Sequence, residues 1–307
     1  MIVRALALIL ALACAVPAVA DATHDGSHEH PLRVMLIPAD GGTETGTKAD
    51  YQPVFNAVSR MTGLGFDLTV GQSYGAVVEA MCNNLVEVAF FGPVAYVQAH
   101  ARNCAQLLAV AEEKGASVYY AGMFAAKSSP IAGIKDLKGR SVAFGDINSA
   151  SSFTFQMAMM IEAGLDPVKD LGKIRMTGSH ANSIAALQQG LVDVACLSFD
   201  SYEKAVREGQ VDPANFKVIV KSIAIPYPPL ALNTKLPEAL KQKLKGAFGS
   251  VHGAPGITPE MIRGYGGKRV DRYNSNFSEA EFGVAAAKLA LVTDEMKAEI
   301  IKRSAER

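Results

Sequence analysis

Two stretches decide how this chain is read: Ser73-Tyr74 leading to Leu85-Val86-Glu87-Val88-Ala89-Phe90, and Ser179-His180 leading to Leu191-Val192-Asp193-Val194-Ala195-Cys196. Each opens on a serine, passes through a helical period and closes on a short apolar run. In the first, Tyr74, Val77, Val78 and Met81 fall at i, i+3, i+4 and i+7, the spacing of one buried helix face. The closing runs have the near-continuous apolar character of parallel strands buried on both faces. The two stretches are offset by 106 positions, as from Ser73 to Ser179, and the same offset carries Tyr96 onto Tyr202. A strand and helix grammar used twice predicts two lobes on one plan, each offering helix starts to a shared cleft.

The grammar extends outward from both stretches. Val34 to Ile37 reads as a strand running into a Gly- and Thr-rich loop at 41–47, then a helix over 51–61 and a strand over 66–70. Ser141 to Phe144 is a strand whose loop, Gly145-Asp146-Ile147-Asn148-Ser149-Ala150-Ser151-Ser152, enters a helix with Phe153, Met157, Met160 and Ile161 on its apolar face. Pro226, Pro228 and Pro229 make 223–232 an extended crossover, since proline lacks the N–H a helix needs. The expected fold is α/β and two-lobed, each lobe a mainly parallel sheet flanked by helices, joined by a two-strand hinge. Residues 31–125 are expected to form most of the first lobe, 126–223 the second, and 224–307 the return to the first with C-terminal helices. Crossovers near 123–127 and 222–225 would carry the hinge.

Arg4, the apolar run Ala5 to Val16 and the small residues up to Ala20 have the form of a cleavable secretory signal over 1–20, too short to span a bilayer. A lipid anchor at Cys14 would need a better box than Ala11-Leu12-Ala13. Residues 21–30 lack an apolar period and read as a flexible N-terminus, with His24, His28 and His30 solvated rather than held as metal ligands. Without Arg4, basic residues number one fewer than the 30 acidic ones, and no long basic run occurs, which argues against nucleic acid and anionic membranes as partners. Export implies an oxidising compartment, where Cys82 and Cys104, near the ends of successive helices, are the expected disulfide and Cys196 is left over.

The residues suited to chemistry are hydroxyls, one imidazole and backbone amides. Ser149, Ser151 and Ser152 sit where a strand hands over to a helix, so hydroxyls and unpaired N–H groups point one way, enough to hold a phosphate-like anion without a cation. Ordinary serine capping explains such a motif equally well in isolation. Ser73-Tyr74, Ser179-His180 and Gly92-Pro93 ahead of Tyr96 supply three further helix starts. His180 is placed to donate to a ligand oxygen, and Asp200 to orient neighbours or accept from a protonated one. A Ser151, His180 and Asp200 hydrolase is disfavoured, because no Gly-x-Ser-x-Gly elbow surrounds any serine.

As a set these residues resemble the phosphonate- and phosphite-binding components of ABC transporters, a branch of the periplasmic binding proteins. The likeness rests on Leu32 to Pro38, Tyr51-Gln52-Pro53, Tyr74 to Met81, Phe91-Gly92-Pro93-Val94-Ala95-Tyr96-Val97, Asp136 to Phe144 and Gly178-Ser179-His180. It implies a type II binding-protein fold, a periplasmic monomer without cofactor, and no enzyme activity. It further implies ligand contacts from Tyr74, Tyr96, Ser149, Ser151, Ser152, His180 and Asp200. The implied function is capture of phosphate, phosphite or phosphonate for import through an ABC permease. Some proteins similar to this family bind arsenite or arsenate and report to a membrane sensor kinase, which is the alternative. The family's Ser-Thr-Ser-Gly loop is Ser149-Ala150-Ser151-Ser152 here, and Cys196 stands where a small residue is common, so the identity of the oxyanion stays open.

Overall fold

The computed structural model describes residues 24–38 and 43–306, so the leader expected at 1–20 lies outside the described residues. In chain order the first elements are β1 (Leu32–Leu36), α1 (Glu44–Thr62), β2 (Phe66–Val70), α2 (Tyr74–Cys82), β3 (Val88–Phe90), α3 (Pro93–Ala101) and β4 (Ala105–Glu112). Then come β5 (Val118–Tyr119), β6 (Ala121–Ala126), β7 (Val142–Phe144), α4 (Phe155–Glu162), β8 (Ile174–Met176), α5 (His180–Gln188), β9 (Val194–Ser198), α6 (Phe199–Arg207) and β10 (Phe216–Lys221). The chain closes with β11 (Ile225–Pro226), β12 (Pro229–Asn233), α7 (Glu238–Ser250), β13 (Arg272–Asn274), α8 (Gly283–Leu291) and α9 (Asp294–Ala305).

Serines start the helices that face the cleft. Ser73, Ser179 and Ser198 each accept, through the side chain, the N–H three residues on, at Ala76, Asn182 and Ser201. Each cap satisfies one of the four donors a helix start leaves orphaned. α1 ends instead on Gly63 at φ 74°, a left-handed conformation glycine adopts without Cβ strain.

The strands form two mixed sheets and a short ribbon. One sheet has the order β13-β4-β12-β3-β1-β2, the other β10-β6-β9-β7-β8. In the first, β1 runs parallel to β2 and β3, and β12 enters antiparallel between β3 and β4. The second repeats the plan, with β7 parallel to β8 and β9, and β6 antiparallel beside β9. Even the register recurs, Val34 opposite Val88 in one and Val142 opposite Val194 in the other. The 106-residue offset is thus a fold relation, because Val88 and Val194 occupy equivalent strands. The first sheet packs in one apolar core around Leu32, Val34, Phe55, Phe90 and Phe248, and the second is covered on both faces, by Met123, Phe144 and Phe153 on one and Phe124, Ile184 and Leu197 on the other.

β5 and β11 pair antiparallel, Tyr119 opposite Ile225, and make the ribbon between the sheets. The first crossover therefore falls before Ala121, not at 123–127. The run Ala121-Gly122-Met123-Phe124-Ala125-Ala126 is a full strand, hydrogen-bonded to β9 on one side and β10 on the other, which its small residues disguise. The C-terminus departs further from the expected return to the first lobe. Val292 and Ile300 join the core around Met123 and Phe144, and the Arg303 guanidinium donates to the carbonyls of Val168, Leu171 and Gly172. α9 thus belongs to the second lobe's packing, and the chain crosses a third time.

At the other end, 24–30 form a closed turn rather than a loose tail: Gly26 N–H donates to His30 O at 3.0 Å and Gly65 N–H to Gly26 O at 2.7 Å. Cys82, at the end of α2, is disulfide-bonded to Cys104, just before β4. Cys196 is a free, fully buried thiol.

Candidate functional site

The loops after β1 and β2 meet the loop after β8 across a groove of about 450 Å³ lined by Thr47, Gln72, Thr177, Ser179 and Asn182. Deeper between the lobes lies the serine loop. Ser149 accepts Ser152 N–H at 3.1 Å, and the turn that follows is wider than an α-helix, since Thr154 N–H reaches back to Ser149 O at 3.0 Å and Phe155 N–H to Ala150 O. Such π turns cluster at functional sites. Among the described residues the N–H groups of Ala150 and Ser151 find no backbone acceptor. The Ser152 hydroxyl is buried with no partner, packed against the Gly145 backbone so closely that a side chain there would overlap it.

The loop is anchored from behind. The buried Gln156 amide donates to Ser151 O at 2.6 Å and to Gly122 O at 2.9 Å, tying the serine turn to the first strand after the ribbon. Replacing it by leucine of similar bulk removes both bonds and strands two buried carbonyls. Gln156→Leu is expected to lower stability by about 1–3 kcal/mol in urea unfolding; an unchanged midpoint would show that the amide anchors nothing.

His180 sits at the first position of α5, wholly buried. Its Nδ1 lies 3.2 Å from Ser198 N–H, which can only donate, so Nδ1 is the acceptor and the ring proton belongs on Nε2. Burial pushes the imidazole pKa down to about 3, so the ring is neutral at ordinary pH. Nε2–H is therefore a buried donor, and it has no partner in the protein. The Ser152 hydroxyl and the His180 ring belong to neighbouring turns, since Gly145 lies against both Ser152 and Ser179.

The first lobe faces these donors with an aromatic wall. Tyr265 is its hub, stacked on Phe90 at 6.3 Å between ring centroids and set edge-on to Tyr119 at 5.9 Å, Tyr227 at 6.4 Å and His180 at 6.2 Å. Tyr51 continues the wall through Phe90. None of these tyrosines was singled out from the sequence for its chemistry. Tyr265 lies in the turn Gly264-Tyr265-Gly266-Gly267, a segment without apolar period, and Tyr119 and Tyr227 reach it only because the two ribbon strands pair.

The expected site residues divide. Tyr74, Ser149, Ser151, Ser152 and His180 all lie at the meeting of the lobes. Tyr74 does so in an unforeseen way: its N–H donates to Asp146 Oδ2 of the other lobe at 3.0 Å, and its ring lies against Gly92. The start of α2 is thus occupied by a carboxylate of the protein itself. Asp146 is buried, which pushes its carboxyl pKa up against the pull of the Asn148 and Tyr74 N–H groups. The serine turn and the start of α5 belong to the second lobe, while the expected start at Gly92-Pro93 in the first lobe has no side-chain cap.

Tyr96 is not among this group. It lies a turn inside α3, where its hydroxyl donates to Glu279 at 2.8 Å and its ring packs on Phe282 and His100. Asp200 is buried and faces Lys268 of the first lobe at 3.7 Å; burial raises its pKa to about 6, with Lys268 opposing. Cys196 points into the core beside Met123 and Phe153, and burial pushes its thiol well up, so it stays protonated. Among the described residues no cluster of three His, Cys, Asp or Glu side chains is gathered to hold a metal.

Comparison with known proteins agrees with this architecture. Residues 42–267 match the family model described as the phosphonate periplasmic substrate-binding protein of ABC transporters. A phosphate-import protein of Mycolicibacterium smegmatis is 29% identical over 252 residues, 78% of each chain. Among solved structures, a binding-protein component of a phosphonate ABC transporter from Pseudomonas aeruginosa superposes with a TM-score of 0.70 at 23% identity, covering 90% of this chain and 99% of that one. A Prochlorococcus marinus protein in complex with methylphosphonate also gives 0.70, at 17% identity over 85% of this chain and 97% of its own.

Proposed function

We propose that this chain, which belongs to the phosphonate periplasmic substrate-binding proteins of ABC transporters, traps a small phosphonate between its lobes and hands it to a membrane permease. The observation that carries the reading is that, among the buried groups of the second lobe without a protein partner, two lie on neighbouring turns beside the cleft, His180 Nε2–H and the Ser152 hydroxyl. A buried polar atom without a partner costs free energy, and a ligand oxygen removes that cost on binding. With the Ala150 and Ser151 amides beside them, these groups match the acceptor oxygens of a compact oxyanion, bound by dipoles in place of a cation. The aromatic wall opposite favours a ligand that carries a small organic substituent on its other side, hence phosphonate ahead of bare phosphate.

The cysteines speak against arsenite. That neutral species favours thiolates, whereas two thiols are tied in a disulfide and Cys196 is a protonated core residue. Arsenate shares the shape and charge of phosphate and belongs in any test. Purified protein heated with methylphosphonate, phosphite, phosphate, arsenate or arsenite separates these readings, since a ligand that binds only the native form at about a hundredfold above its Kd stabilises by about 2.7 kcal/mol. Methylphosphonate is expected to raise the melting point most. A shift with arsenite alone, or with no member of the panel, would overturn the proposal.

A further inference from the structure

A second set of contacts crosses the cleft beside the unpartnered donors, sharing Tyr265 with the aromatic wall, and we infer that it is a clasp that holds the closed form and slows ligand escape. The clasp joins the turn Gly264-Tyr265-Gly266-Gly267-Lys268 and α1 of the first lobe to one face of α6, with the Lys204–Asp50 ion pair at its centre. The inference rests on the cleft being the ligand site and adds to it the Lys204–Asp50 ion pair, which is no part of the proposed ligand contacts.

The contacts follow a helical period. Asp200 Oδ1 lies 3.7 Å from Lys268 Nζ, Ser201 Oγ 3.2 Å from Tyr265 OH, Lys204 Nζ 2.6 Å from Asp50 Oδ2, and Arg207 Nη2 3.4 Å from Gly266 O. Positions 200, 201, 204 and 207 lie on one face of an α-helix. That face of α6 is therefore given over to the opposite lobe.

Lys204 is the telling member. Its side chain is only 8% exposed and that of Asp50 15%. A charge so buried is tolerated when it is paired, and here the close partner comes from the other lobe, the half-exposed Glu208 carboxylate of the same helix lying farther off at 3.9 Å. The turn also crowds Asp50: Gly267 stands at φ 66°, and a Cβ on it would strike the Asp50 carboxylate. The carboxylate is pinned between a backbone that only glycine allows and the lysine across the cleft. Lobe opening returns both charges to water, and closure in any other register leaves Asp50 without its lysine and Lys204 with only the more distant Glu208. The ion pair thus selects one closed arrangement, and affinity follows the fraction of protein in that arrangement.

The test uses the full exported chain, with dissociation of methylphosphonate followed by surface-immobilised binding and lobe closure by small-angle scattering. Lys204→Met and Asp50→Asn are each expected to speed dissociation on the order of tenfold, because removing one partner of a buried charge pair acts mainly on the off-rate. The charge exchange, Asp50→Lys with Lys204→Asp, is expected to recover much of the loss, which a merely structural role for either residue would not produce. Single variants within about twofold of wild type, or an exchange no better than the singles, would overturn the clasp. Should wild type bind no member of the oxyanion panel, the functional proposal fails alone. The ligand-free radius of gyration still decides the clasp, being larger in both single variants if it exists and unchanged if it does not.

Discussion

Removing the Cys82–Cys104 bond, by serine at both positions, is expected to lower the stability of the first lobe by roughly 3 kcal/mol, the loop-closure entropy for cysteines 22 residues apart. The enclosed segment carries β3 and α3, and β3 is the strand that joins β1 to β12 in the middle of its sheet. Freed of the cross-link, the unfolded chain regains conformations that the bond excludes, while the folded chain keeps its remaining contacts. Native compensation is modest, because the Arg102–Glu79 pair nearby is solvent-exposed and such pairs contribute little. Urea unfolding of oxidised wild type against the double serine variant measures the difference. Reductant should bring wild type to the variant's midpoint and leave the variant where it was. Coincident midpoints for oxidised wild type and variant would mean that the cross-link contributes nothing to this fold.

The sequence made the repeated unit legible because its signal is local: a serine cap, a helical period and an apolar strand recur at one spacing. Hydrogen bonding repeats what the pattern implies, down to Val88 and Val194 at equivalent registers. What stayed hidden depends on contacts far apart in the chain. β6 escaped notice because Ala121, Gly122, Ala125 and Ala126 carry little hydrophobic contrast, yet β6 is hydrogen-bonded on both edges. α9 looked like part of the return because nothing in its own periodicity names the sheet it covers. Tyr96 and Tyr74 are similar as sequence signals, each a tyrosine in the first turns of an apolar helix, and they part because Glu279, distant in sequence, captures the Tyr96 hydroxyl. Tyr265, Asp50 and Lys204 carry no motif at all. Their proximity is a product of the lobes meeting, which no window of sequence contains.

Among single side chains, His180 is expected to matter most for ligand capture. His180→Ala deletes the buried Nε2–H donor and should weaken methylphosphonate binding by about 1–3 kcal/mol, roughly fivefold to 150-fold, as should Ser152→Ala. If both groups address the same oxyanion, the double variant will fall short of the sum of the singles, since neighbouring donors on one ligand are coupled. Titration calorimetry on the four proteins completes the cycle, and isotherms unchanged in both single variants would place the ligand elsewhere. His180→Gln separates donor from ring, for its amide can still offer an N–H while losing the titration. The wild-type imidazole has a folded pKa near 3 against an ordinary value of 6.5. Between those values the unfolded chain binds a proton that the folded chain refuses, so stability from this group is full above 6.5 and is lost as pH falls toward 3. Glutamine removes that term, so its unfolding midpoint should decline less steeply than wild type across the same interval. Parallel declines would mean that the ring is protonated within the fold, and a protonated ring could not accept the Ser198 N–H on which the assignment of the Nε2 donor depends.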